Sequence, residues 1–123
     1  MSQQQASAGS LGEERLILDD IFIPIRAEIA LKAGHIEEAL ALAEEAVAYA
    51  QTVDGKFAEG LAQRVWGVAL VALNPPRWDA ARAHMAASLH AFEAGDILLE
   101  MARTHQEWAL LCRDHPGPPL AST

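Results

Sequence analysis

Five histidines, one cysteine and a set of arginines at helical spacing are the residues of this chain that could do chemistry. His84 and His105 flank Gly95-Asp96 at similar distances, so antiparallel helices on either side would set the two imidazoles at similar heights. Imidazoles so placed can ligate a metal or exchange a proton. Neither HExxH nor another zinc spacing accompanies them, however, and no cysteine is near enough in sequence to add a ligand. They read as surface or interfacial histidines. Cys112 lacks the surroundings of a catalytic thiol and reads as a small packing residue. The eight glycines are dispersed, with neither a P-loop nor GxGxxG, so the sequence offers no phosphate cradle. It also lacks a nucleophile elbow. The expectation is therefore a protein without cofactor or metal that is not an enzyme, a small helical enzyme or metal protein using His84 and His105 being the alternative.

The whole chain has 123 residues, one ordinary domain, with 9 basic against 17 acidic side chains and a net charge of −8. That balance argues against a general grip on nucleic acid, where Lys and Arg must neutralise phosphates, and against a polybasic membrane contact. Hydrophobic residues make up 51 % of the chain, enough for a core, but no apolar run approaches the ~20 residues that span a bilayer. MSQQQASAGS has neither the basic nor the apolar region of a secretory signal, and a lone cysteine suits a reducing cytoplasm.

Something must position the side chains, and the pattern is helical. Ala, Leu and Glu dominate, with no sustained period-two alternation. Breakers at Ala33-Gly34-His35, Asp54-Gly55, Asn74-Pro75-Pro76 and Gly95-Asp96 cut the middle into five helical stretches. Gly34 and Gly95 are expected in the left-handed position that ends a helix, and Asp54 and Asp96 as caps of the helices that follow. In the second stretch Ile36, Ala39, Leu40, Ala43, Val47 and Ala50 form one apolar stripe, and no Lys or Arg occurs in that helix. Trp78, Ala81, Met85, Ser88, Leu89 and Phe92 repeat the layout in the fourth. In the first stretch Pro24 must kink one long helix, started by the Ser10-Leu11-Gly12-Glu13 capping spacing, or sit near the start of a shorter one capped by Asp20. A kinked or broken helix is the expectation. Residues 1–12 read as a flexible arm, 13–114 as the helical domain and 115–123 as a flexible tail.

The chain repeats itself. Trp66 and Trp108 are 42 residues apart, as are Ala39 and Ala81, and periods between 20 and 50 residues signal stacked supersecondary units. The segment AGHIEEALALAEEAVAYA resembles the second helix of the tetratricopeptide repeat (TPR) family, with Gly34 at the turn, Ile36 at the large apolar site and Ala39, Ala43 and Ala46 at the small inward sites. Trp78, Ala81, Met85 and Ser88 take the corresponding places in the next unit, and Gly67 matches the first-helix glycine. The match covers roughly residues 20–114. The period is longer than 34, and the first-helix Tyr and the repeat-ending Pro are missing, which is similar to long-period repeats of bacterial signalling and regulatory proteins.

The resemblance implies an all-α fold in which antiparallel helix pairs stack as a short TPR-like α-solenoid of about five helices. It also implies a protein–protein or peptide-binding adaptor or scaffold, the alternative being a regulatory fragment of a larger signalling protein. The family's first helices line a concave surface. The register puts Glu28, Leu31 and Lys32 there from the first unit, Arg64, Val68 and Val71 from the second, and Arg103, Gln106, Leu110 and Arg113 from the fifth helix. Arginines flanked by aliphatic residues suit an acidic or carboxylate-ended peptide. Separately, Ile21, Phe22, Ile23 and Ile25 make the first helix too apolar to turn wholly inward, so they are expected to form a homodimer or partner face.

Overall fold

Gly34 ends the first helix because it alone among the turn residues pays no steric cost at φ +85°. The computed structural model describes residues 21–115 and Leu120. Its helices are α1 (21–32), α2 (Ile36–Val53), α3 (Lys56–Val71), α4 (Trp78–Ala94) and α5 (Leu98–Leu111), followed by a 3-10 turn at Cys112–Asp114. No strand occurs among the described residues. The arm over 1–12, the capping spacing at Ser10 and the Asp20 cap lie outside them. Pro24 is buried within α1.

Three of the four connections use one turn. After α1, His35 N–H reaches back to Ala30 O (2.9 Å); after α2, Gly55 N–H reaches Ala50 O (2.8 Å); after α4, Ile97 N–H reaches Phe92 O (2.8 Å). Each is the six-to-one bond of a Schellman motif, which requires a left-handed residue just before the donor. Gly34, Asp54 (φ 57°) and Asp96 (φ 58°) hold that position. This corrects two expectations. Gly95 has φ −92°, and the two aspartates end helices rather than cap the next ones, whose first residues receive no side-chain cap bond. Asp tolerates the left-handed region because its short polar side chain bonds locally. The two aspartates are 42 residues apart, so the sequence period is also a period of turns.

Short turns force successive helices to run antiparallel, and glycines set how closely they do so. A Cβ on Gly60 would fall 2.4 Å from the Phe92 ring, and one on Gly67 would fall 2.8 Å from Met85. Seven residues forward along α3 thus correspond to seven back along α4. α3 is the central helix, packing on α2, α4 and α5. Ala27 and Ala30 of α1 join Ala39, Leu42, Ala43, Val65 and Ala69 in one apolar cluster. A second cluster unites Leu70, Ala81, Met85, Leu89, Trp108 and Leu120. The tail expected to be flexible from 115 therefore has two docked residues: Leu120 is buried, and the His115 ring stacks on Trp78 at 4.1 Å. The molecule is an all-α stack of antiparallel helices, and no described helix is long and apolar enough to cross a membrane.

Candidate functional site

Residues that recur at one helical register on α1, α3 and α5 meet at a cavity of about 520 Å³. Glu28 comes from α1, Phe57, Leu61 and Arg64 from α3, and Glu100, Arg103, Gln106, Glu107 and Leu110 from α5. These are the first helices of successive pairs.

The cavity has a built polar floor. Glu100 is buried, and both its carboxylate oxygens accept from guanidinium groups: Arg64 Nη2 at 2.9 Å on Oε1 and Arg103 Nη1 at 2.7 Å on Oε2. Arg64 Nη1 also donates to Glu100 O (3.3 Å) and Thr104 Oγ1 (3.1 Å), and its guanidinium lies 5.6 Å from the Phe92 ring centroid. Behind it, Ser88 Oγ donates to Gly60 O at 2.8 Å and lies 3.2 Å from Thr104 Oγ1. The network ties α3, α4 and α5 together, with buried charge balanced by hydrogen bonds as low-dielectric surroundings demand.

Of the residues the repeat register assigns to the concave face, Glu28, Arg64, Arg103, Gln106 and Leu110 line this cavity. Leu31, Val68 and Val71 pack into the core clusters instead. Lys32 sits outside the cavity, 3.8 Å from Glu28 one turn back. Arg113 is exposed on the 3-10 turn and does not line the cavity either. The arginines therefore do not converge as an unopposed positive patch, because Glu100 stands between two of them.

Sequence reasoning missed Phe57, Leu61, Glu100 and Glu107. The period could have found two of them. Leu61 stands 42 residues before Arg103. Glu100 stands 42 after Ala58, which is fully buried, so a carboxylate occupies a core register position and needs a buried cation.

The first helix divides its apolar residues. Ile23 packs against Ala46, Val47 and Ala62, and Ile21 is half-buried, whereas Phe22 and Ile25 are 58 % and 40 % exposed. The histidines separate too. His84 stacks on Trp66 at 3.9 Å with its Nδ1 2.7 Å from Gln63 Oε1, while His105 is exposed on α5. Burial holds the His84 imidazole below its ordinary pKa, and burial pushes the Cys112 thiol up. Among the described residues no three His, Cys, Asp or Glu side chains gather where a metal could sit. Compared with known proteins, the chain matches no family model, no curated protein and no solved structure, so the groove stands on its own geometry.

Proposed function

We propose that the chain is a TPR-like repeat module of the cytoplasm that binds a protein or peptide as an adaptor, and that the cavity between α1, α3 and α5 holds a carboxylate-ended peptide. The observation that carries this reading is Arg103. Its guanidinium gives one arm to buried Glu100, yet the side chain as a whole remains 58 % exposed at the cavity wall. A terminal carboxylate fits that fork geometry, with Phe57, Leu61 and Leu110 beside it as contacts for an apolar side chain. Glu28 and Glu107 on the same lining repel further negative charge, which favours a single carboxylate over a polyacidic run. Arg64, held by three acceptor contacts, serves the scaffold.

Peptide libraries with free and amidated C-termini, titrated against wild type and Arg103→Ala, test this. A half-exposed ion pair contributes about 1 kcal/mol, so free ends should bind roughly fivefold tighter, and only to wild type. Equal binding of both libraries would remove the carboxylate reading. A second reading, self-association through α1, is favoured by exposed Phe22 and Ile25. Sedimentation of wild type beside Ile25→Asp tests it, and a wild type monomeric at high concentration would end it.

A further inference from the structure

The opposite side of α3 carries a second groove. Trp66 is two residues on from Arg64, about 200° around the helix, and with Leu40, Leu70 and Leu73 it lines a cavity of about 440 Å³ beside α2. Glu37, Ala41 and Glu44 of α2 form the wall, and Arg77 is the single cation of the lining. The exposed stripe continues as Ala48, so every third or fourth residue along this face is either small or acidic. Two of the three carboxylates of the first cavity have cations within reach, Lys32 for Glu28 and Arg64 and Arg103 for Glu100, and Glu107 is the one without an ion pair among the described residues. Among the described residues Glu37, Glu44 and Glu45 have no ion-pair partner, and α2 contains neither Lys nor Arg.

We propose that this groove is a docking site for a basic amphipathic helix of a partner protein. Glu37 and Glu44 are two helical turns apart, about 10 Å along the axis, which is the separation of two cations seven residues apart on a facing helix. Ala41 lies between them and leaves room for the helix axes to approach within about 8–10 Å. A large aliphatic residue midway between the two cations would pass over Ala41 and reach the indole of Trp66. The partner signature is thus a Lys or Arg, an aliphatic residue three or four positions on, and a second Lys or Arg seven positions from the first. A second copy of this chain does not supply it, since no described helix carries two cations seven residues apart.

The probe is a labelled twenty-residue helical peptide with that signature, titrated into the full chain and followed by fluorescence anisotropy. Comparison peptides are a scrambled one of the same composition and one with Glu in place of each Lys. The signature peptide should bind about tenfold tighter than the scrambled one at low salt and lose affinity as salt is raised. The double variant Glu37→Gln, Glu44→Gln should lose most of that advantage, and Ala41→Arg should block binding. Arg103→Ala, in the other groove, should bind the peptide as wild type does, which separates this site from the carboxylate site. Circular dichroism melting of each variant shows that the fold is retained. Equal affinity for signature and scrambled peptides, undiminished binding to the double variant, or tighter binding of the Glu peptide would overturn the proposal. So would a dimer of the wild type that Ala41→Arg dissolves, which would make a second copy the occupant.

Discussion

The ring of Phe92 fills the space that a side chain at position 60 would need: a Cβ on Gly60 would lie 2.4 Å from one ring carbon and 2.6 Å from two others. Phe92 is fully buried and has nowhere to swing. Gly60→Ala gains about 1 kcal/mol of helix propensity but forces α3 and α4 apart, so a net loss of about 1–3 kcal/mol is expected from urea unfolding. Gly67→Ala should also destabilise, since its Cβ would meet the buried Met85 side chain at 2.8 Å and the Ala81 carbonyl oxygen at 3.0 Å. A stabilised Gly60→Ala would show that the ring can step aside.

Glu100 is the keystone of the polar floor. Glu100→Ala strands Arg64 against Phe92 with part of its charge uncompensated, for an expected loss of about 2–4 kcal/mol, below that of a wholly buried pair because Arg64 keeps some exposure. The double variant Arg64→Met, Glu100→Met should recover much of it, because apolar packing replaces both desolvated charges at once. Thermal unfolding of both proteins decides, and additive losses would mean that the two side chains do not act as a unit.

His84 gives stability a slope in acid. Its native pKa lies below the ordinary 6.5 because burial disfavours the cation. Between those two values the unfolded chain holds the extra proton, so stability is full above about pH 7 and declines as pH falls through 6. His84→Gln should flatten that decline, the other histidines being common to both proteins. Urea midpoints at pH 5.5 and 7.5 measure it, and identical slopes would contradict it.

On α1 the two sides should answer differently to the same substitution. Phe22→Asp and Ile25→Asp replace exposed groups and should shift stability by no more than about 0.5 kcal/mol. Ile23→Asp drives a charge toward Ala46, Val47 and Ala62 and should cost about 2–3 kcal/mol. Equal melting temperatures for Ile23→Asp and Ile25→Asp would refute this orientation of the helix.

How far the sequence was legible depended on whether a residue's role was set by its own unit. The five helices, the stripe through Ala39, Ala43 and Val47, and the glycine at position 67 follow from local spacing and repeat register, and they stand in the structure. The role of Asp54 and Asp96 is not legible from the sequence, because one residue type serves both helix starts and left-handed helix ends and only backbone geometry separates the two. Glu100 is not legible as part of the site because its partner Arg64 is 36 residues away, on a helix not adjacent in sequence. Val68 and Val71 have a groove register but pack against the second apolar cluster, since an apolar side chain goes where the most surface can be buried.

The polar character of the α5 contact has a consequence for how the molecule opens. α3 buries eight residues, whereas α5 buries Glu100, Thr104 and Trp108, two of which are polar. In a stack where cohesion passes between neighbours, such a joint is the first to let go, and its amides should exchange with solvent well before those of α3. A peptide lying against both α3 and α5 would act as a clasp on that joint. Its arrival would be read first as slowed hydrogen exchange along Leu98–Leu111, and its affinity would track the fraction of molecules in which the last helix is closed.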